Sequence, residues 1–128
     1  FVLRLVPGMR ADIIPLLAPH YRALVLESFG VGGLPGGEHG EMFAALRRWC
    51  ESGRLAVFTT QVPHEGCDLA VYEVGRAVGE LSGVLEARDM TPEAVAVKLM
   101  WALGQTRDPK RLRELFYEPI NCDRLPEA

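Results

Sequence analysis

The chain has 128 residues, 48% of them hydrophobic, which is enough for one domain of ordinary size with a packed core. Its formal net charge of −3 is spread along the sequence, which argues against the basic patch typical of nucleic-acid binding. No apolar run approaches the roughly 20 residues that a membrane helix requires, so we expect no membrane partner.

The three cysteines are an odd number without paired spacing, which argues against a disulfide framework and favours a reducing compartment, the cytoplasm. No signal peptide is recognisable. The sequence starts at Phe1 rather than at methionine, and its apolar residues begin without a polar leader. We therefore expect residues 1–128 to form one domain excised from a longer protein.

Three short apolar runs are continuous rather than alternating, which predicts strands covered on both faces, as in a parallel sheet. A loop rich in glycine, proline or polar residues follows each run. A weaker apolar pair, Val84 and Leu85, predicts a short fourth strand. The runs are 1–6, 23–26 and 55–58, and the loops that follow them begin with 7–8, 30–37 and 59–66.

Helical patterns lie between these strands. Apolar residues spaced by three and four predict an amphipathic helix over 41–52, with Gly53 as its terminating residue. A shorter helix is predicted over 11–18, where Pro15 is tolerated in the first turn or so. The stretch 69–81 is ambiguous, and we favour a helix there.

Two helix starts near the end of the chain are marked by a capping residue followed by proline. Thr91, Pro92 and Glu93 predict a helix to about Leu103 that is apolar around most of its circumference and therefore mostly buried. The pair Asp108–Pro109 repeats the signal for a last helix, which ends near Tyr117.

The order of these elements predicts an α/β fold: a small open parallel sheet of three to four strands with helices on both faces, Rossmann-like. Ligands bind such sheets outside the carboxyl ends of the strands, so the loops named above are the candidate sites. The loop 30–33 resembles half of a dinucleotide fingerprint but lacks its third glycine. Its glycines more simply allow a tight turn or the close approach of a ligand or partner.

The other loops offer polar groups whose roles stay open. Thr59, Thr60 and Gln61 at a strand end form either a capped turn or the polar lining of a pocket. His64 and Cys67 have metal-ligand spacing without two further soft ligands, so we favour a solvated loop and expect no metal.

The sequence lacks a hydrolytic centre of its own. No Gly-x-Ser-x-Gly elbow occurs, and no threonine has a neighbouring lysine or paired acid that would activate its hydroxyl.

Taken in order, six segments resemble the C-terminal domain of cytoplasmic (type I) L-asparaginases, and together they span most of the chain. The resemblance implies that the full enzyme hydrolyses L-asparagine, often with some glutaminase activity, without a cofactor. It also implies that the nucleophilic threonine lies in an N-terminal catalytic domain absent here. The segments are 7–8, 23–35, 59–61, 72–75, 89–94 and 98–105.

The same resemblance implies a homo-oligomer, a dimer or a tetramer, in which this domain closes the active site of a neighbouring subunit. No catalytic residue is then expected here, and this domain alone is expected to be inactive. Gly33 stands where the family often has an asparagine near that site. Glu73, with Tyr72 beside it, is carried over as the group that reaches the substrate amine, and Thr59, Thr60 and Gln61 as a regulatory or polar pocket.

Two alternatives remain. The first is the C-terminal part of the asparaginase-like subunit of Glu-tRNA(Gln) amidotransferase, which shares this domain. The second is a stand-alone module that binds a small ligand or a partner protein. The excised-domain interpretation differs from the second in predicting an exposed apolar face.

Overall fold

The computed structural model describes residues 1–37, 39–71 and 73–125. In these ranges strands and helices alternate until the last two helices follow one another. The elements are β1 (Val2–Arg4), α1 (Ile13–Leu17), β2 (Ala23–Ser28), α2 (Glu41–Glu51), β3 (Leu55–Thr60), α3 (Glu73–Gly79), β4 (Val84–Glu86), α4 (Pro92–Gln105) and α5 (Pro109–Tyr117).

The strands form one parallel sheet in the order β1-β2-β3-β4, which confirms the predicted α/β fold with an open parallel sheet. Its centre is the pairing of β2 with β3, in register from Ala23 opposite Leu55 to Ser28 opposite Thr60. Because all strands run the same way, their carboxyl ends meet at one edge, hereafter the carboxyl edge of the sheet.

The first three helices cover one face of this sheet. Leu24, Leu26 and Phe58 point into a core shared with α1, α2 and α3. Trp49 of α2 is buried there, and its indole Nε1 donates a hydrogen bond to the carbonyl of Leu55 at 2.8 Å. This pairing satisfies the polar end of a large buried ring and fixes α2 against the start of β3.

The last two helices cover the other face, where Val25, Val57 and Leu85 pack against Val95 and Phe116. Both predicted helix starts are confirmed. The Thr91 hydroxyl accepts a hydrogen bond from the Ala94 amide at 3.3 Å, and the Asp108 carboxylate accepts one from the Arg111 amide at 3.0 Å. Each side chain satisfies a first-turn amide that lacks an intrahelical partner.

The prediction that α4 is mostly buried is wrong. Only one side of the helix packs on β2 and β3, and no third layer covers its outer side within the described residues. Val97 and Met100 are 68% and 72% exposed, and Trp101 is 40% exposed. Conversely, the charged residue Lys98 is buried, because Asp123 and the carbonyl of Glu118 hold its ammonium group.

The element bounds also differ from those predicted. Strand β1 is shorter than the apolar run 1–6, whereas β2 and β3 extend to Ser28 and Thr60. The apolar pattern predicts strand ends that are too early, because the last residues of both strands are polar. These polar residues, Ser28, Thr59 and Thr60, are nevertheless buried. No helix in the described ranges is long and apolar enough to cross a membrane.

Candidate site at the carboxyl edge of the sheet

Hydrogen bonds from buried side chains lock the ends of β2 and β3 together. The Ser28 hydroxyl donates to the carbonyl of Thr59 at 2.8 Å, with both residues buried. The Thr60 hydroxyl donates to the carbonyl of Gly30 and accepts from the amide of Val62 at 3.0 Å. The Thr60 hydroxyl thus caps the turn after β3, because it accepts a hydrogen bond from the backbone amide two residues later.

Gln61 joins three strand ends. Its side-chain amide nitrogen donates to the carbonyls of Leu5 and Glu27 at 2.6 and 2.7 Å, and its backbone amide donates to Ser28 at 3.2 Å. The Glu27 carboxylate in turn lies 3.1 Å from Arg4 of β1. Both side-chain amide protons of Gln61 are therefore committed to holding the sheet.

A cleft of about 470 Å³ opens at this edge, between the loop after β3 and the start of α4. Its walls carry the carboxylates of Glu65, Asp89 and Glu93, with His64 beside them. Thr59 and Thr60 form part of its lining. Three carboxylates around one small cleft favour a cationic group such as an ammonium ion.

The cleft residues after β4 were missed as site candidates. Asp89 and Thr91 belong to a segment that predicts a helix start and contributes to the family resemblance, but neither signal assigns them to a site. Both lie shortly after the end of β4, at the carboxyl edge of the sheet. This position is the signal from which their place near the loop after β3 could have been predicted. The Asp89 carboxylate also accepts a hydrogen bond from the Leu125 amide at 2.6 Å, which ties the end of the described chain to the cleft.

The glycines after β2 make room for this chain's own residues. A Cβ at Gly33 would lie 3.2 Å from the Cβ of Phe29, and the two residues exchange backbone hydrogen bonds. Gly32 has φ +149°, and a Cβ there would lie 2.8 Å from the side chain of Leu69. The close approach expected of these glycines is therefore made to Phe29 and Leu69.

The loop before α3 is tied to β4 and to the loop after β2. The Leu69 amide donates to the Glu86 carboxylate at 2.8 Å, and the Asp68 amide donates to the carbonyl of Val31 at 3.1 Å. Glu73 then opens α3 with an exposed side chain. It does not belong to the described lining of the cleft, so the structure does not join Glu73 to Thr59 and Thr60 in one pocket. Tyr72 lies outside the described residues.

All three cysteines lie in the described ranges, and none forms a disulfide. Cys67 is buried, and its thiol contacts the carbonyl of Val31 at 3.6 Å rather than His64. Burial, with the nearby charges of Glu86 and Asp68, raises the pKa of Cys67 to about 12. Burial likewise raises the pKa of Cys50, to about 11, with a smaller contribution from Glu51. Both thiols stay protonated at neutral pH and are poor nucleophiles or metal ligands.

The hydroxyl groups at the strand ends are used in the fold. The hydroxyls of Ser28 and Thr60 are engaged with backbone carbonyls, and the two buried thiols are protonated. No group of three or more His, Cys, Asp or Glu side chains in the described ranges is placed to hold a metal ion. What the edge offers is an acidic cleft and three loops fixed by side-chain hydrogen bonds.

Comparison with known families gives a match over residues 1–116 to the glutaminase/asparaginase C-terminal domain. An L-asparaginase of Thermococcus kodakarensis is 40% identical over 92% of this chain and 35% of its own length. One subunit of the Glutamyl-tRNA(Gln) amidotransferase of Metallosphaera sedula is 35% identical over 91% of this chain and 26% of its own. The chain thus spans about a third or less of the length of these relatives.

Solved structures give the same result. The thermostable L-asparaginase from Thermococcus kodakarensis superposes on 98% of this chain with a TM-score of 0.88 and 36% identity. L-asparaginase I from Vibrio cholerae superposes on 98% with a TM-score of 0.84 and 27% identity. This chain covers 38% and 37% of those two chains.

Proposed function

We propose a function from the premise that this chain belongs to the glutaminase/asparaginase C-terminal domain family. We infer that it is the C-terminal domain of an L-asparaginase, which in its full-length form converts L-asparagine and water to L-aspartate and ammonia. The observation that carries this proposal is the 40% identity to an L-asparaginase across 92% of the chain.

The chemistry of bond cleavage belongs to the rest of the full-length enzyme. The hydroxyls of Ser28 and Thr60 donate to backbone carbonyls, so the proton of each hydroxyl is directed to a carbonyl and not to a side-chain base. The buried thiols of Cys50 and Cys67 have raised pKa values and remain protonated. We therefore infer that residues 1–128 alone do not hydrolyse asparagine.

The domain's own contribution is to complete the active site of a neighbouring subunit in a homo-oligomer. The exposed carboxylate of Glu73 is the proposed contact to the substrate ammonium group, with Tyr72 beside it and Gly33 on the adjoining loop. Support for this assignment comes from two hydrogen bonds that fix residues 68 and 69, shortly before α3: the Leu69 amide donates to Glu86, and the Asp68 amide donates to the carbonyl of Val31. A carboxylate at the start of a helix that is anchored in this way binds an ammonium ion without a large ordering cost.

Steady-state kinetics of the full-length enzyme test this role. We expect Glu73→Gln to raise KM for asparagine far more than it lowers kcat, because the lost charge acts on binding of the substrate ammonium. Glu80→Gln, at another exposed carboxylate just after α3, is the matched control and should leave both constants unchanged. An unchanged KM in Glu73→Gln contradicts the assignment. Hydrolysis by residues 1–128 alone would contradict the inactivity of the isolated domain.

The acidic cleft is the proposed regulatory pocket, with Thr59 and Thr60 in its wall and Gln61 holding the strand ends behind it. Free asparagine carries an ammonium group that suits the carboxylates of Glu65 and Asp89. We expect a sigmoidal dependence of rate on asparagine in the full-length enzyme. The double substitution Glu65→Gln and Asp89→Asn should make it hyperbolic, and a curve of unchanged shape would exclude this pocket.

A second candidate function is that of the asparaginase-like subunit of Glu-tRNA(Gln) amidotransferase, favoured by the 35% identity to a subunit of such an enzyme over 91% of the chain. The two proteins differ in what accepts their ammonia. Ammonia released to solvent from asparagine without a partner protein supports the asparaginase. Hydrolysis that requires misacylated Glu-tRNA(Gln) and a partner subunit supports the amidotransferase.

We place the full-length protein in the cytoplasm. The support is the cysteine chemistry: two of the three thiols are buried without forming a disulfide, and the third, Cys122, is exposed and free. An exposed free thiol suits a reducing compartment. Fractionation of the native host tests the location, and recovery from the periplasm or medium would contradict it.

A further inference from the structure

The outer side of α4 is an exposed apolar surface, which we call the α4 face and define by Val97, Met100 and Trp101. These side chains are 68%, 72% and 40% exposed. Ala94 and Ile120 extend the surface into a shallow groove of about 330 Å³ shared with Val97 and Trp101. Contiguous apolar surface of this kind on a folded domain marks a contact with another polypeptide.

The same face of the sheet is also open over β1. Leu3 points into the core beneath α1 and α2, so Val2 and Arg4 point to the opposite face, where α4 lies and where Arg4 pairs with Glu27. Val2 pairs in register with Val25, which packs in the α4 and α5 core. Val2 is nevertheless 46% exposed, because α4 packs on β2 and β3 rather than on β1, and Val6, just after β1, is 47% exposed.

Phe1 stands at the border of this open strip. Its amino nitrogen donates to the carbonyl of Ala23 at 3.0 Å, as a peptide amide at this position of a parallel ladder would. Ala23 belongs to the core beneath α4 and α5. Helix α4 begins at the carboxyl edge and runs back across the sheet, so Trp101, near its end, lies toward the edge where β1 starts. A polypeptide leading into Phe1 therefore arrives next to β1, at the same edge of the sheet as the end of α4.

We propose that the segment preceding Phe1 in the full-length polypeptide lies across the α4 face and the open strip over β1. This inference rests on the proposed function, in which residues 1–128 are the C-terminal domain of a longer chain. The matched relatives support that length, since this chain covers 35% of the L-asparaginase of Thermococcus kodakarensis. Covalent attachment at Phe1 gives this segment a high effective concentration at the surface, which a separate copy of the chain lacks.

Site-specific photo-crosslinking in the full-length protein tests the occupant. The photoreactive residue p-benzoylphenylalanine is placed at position 100, with a second variant at position 97 in case the first fails to fold. After irradiation, we expect products of single-chain mass whose crosslinked peptides join α4 to the segment before Phe1. The same residue at position 16 is the matched control, because Leu16 is 67% exposed on the opposite face of the sheet.

The outcomes separate the occupants. Products of double-chain mass, with mixed isotopic labels when labelled and unlabelled subunits are combined, would show a second copy and overturn the inference. Equal, weak crosslinking at positions 100 and 16 would show an uncovered face and also overturn it. Asparagine hydrolysis, measured on the same preparations, reports separately on the proposed function, so failure of one leaves the other standing.

Discussion

The Nζ atom of Lys98 lies 2.6 Å from a carboxylate oxygen of Asp123, and the lysine side chain is only 4% exposed. Lys98 also donates to the carbonyl of Glu118 at 2.5 Å. A single buried lysine thus holds the segment after α5 against α4. The family match ends at residue 116, so this lysine fixes a part of the chain that lies beyond the matched domain.

Replacement of Lys98 should be strongly destabilising. Lys98→Met keeps most of the volume but removes the ammonium group that pairs with Asp123 and donates to the Glu118 carbonyl, and we expect a loss of about 2–4 kcal/mol in the free energy of unfolding. The exposed Lys110→Met is the control and should change it by less than about 0.5 kcal/mol. Urea unfolding of the two variants measures the difference. Equal stabilities would show that the ion pair contributes nothing.

The same pair gives stability a dependence on pH. Burial raises the pKa of Asp123, but hydrogen bonds from Lys98 and the Ile120 amide and the charge of Lys98 outweigh it, so the pKa lies below its ordinary value of 3.8. A carboxyl with a lowered folded-state pKa contributes stability that is complete above the ordinary value and lost as the pH falls through the folded-state value.

We therefore expect Asp123→Asn to flatten the acid limb of the stability curve. The melting temperatures of the parent chain and of Asp123→Asn should differ most at neutral pH and converge as the pH falls below about 4. Asp12→Asn, at an exposed carboxylate paired with Arg10, is the control, and solvent should screen its effect. A gap between parent and Asp123→Asn that stays constant from pH 7 to pH 3 would rule out this linkage.

Gln61 is expected to stabilise the carboxyl edge through its two side-chain hydrogen bonds. Gln61→Met retains the shape of the side chain but leaves the carbonyls of Leu5 and Glu27 without that donor, at a cost of about 1–3 kcal/mol. Gln105→Met, at the exposed end of α4, makes the same chemical change and should cost little. Thermal unfolding compares the two, and equal melting temperatures would show that the carbonyls are satisfied in another way.

The sequence was sufficient to predict the helices that are marked by hydrophobic periodicity or by a local capping residue. The helix over 41–52 and the Thr91 and Asp108 caps could be found because their signals lie within a few residues of each other. The role of Gln61 could not, because its acceptors at Leu5 and Glu27 lie 56 and 34 residues away in the chain. Burial of Lys98 was hidden for the same reason, since its partner Asp123 belongs to a later segment.

The site was predictable in position rather than in detail. The end of β3 was identified as a polar edge, and the cleft does lie there, with Thr59 and Thr60 in its lining. Strand register decides which polar atoms form hydrogen bonds within the domain. The hydroxyl of Thr60 reaches the carbonyl of Gly30 only because β2 and β3 end together. Whether Glu73 serves a neighbouring subunit depends on a second chain and stays a prediction.

The cysteines should differ in reactivity by position. At pH 8, iodoacetamide should modify Cys122, which is exposed, and leave Cys50 and Cys67 unmodified in the folded chain. Burial raises the pKa of these two thiols to about 11 and about 12, so almost none of either is thiolate, and neither is accessible. Mass spectrometry of digested protein locates the label. Modification of Cys67 at the rate of Cys122 would mean that the loop after β3 opens readily.

Two glycine-to-alanine substitutions should act in opposite directions. Gly32→Ala is strained, because Gly32 has φ +149° and a Cβ would lie 2.8 Å from the side chain of Leu69. Gly104→Ala places a methyl group in open space near the end of α4, where alanine is the better helix former. We expect Gly32→Ala to lower the free energy of unfolding by more than about 1 kcal/mol and Gly104→Ala to raise it by about 0.5–1 kcal/mol. Denaturant titration measures both. A neutral Gly32→Ala would show that the loop after β2 can move away from Leu69, so the glycine would then not be needed for packing within this chain.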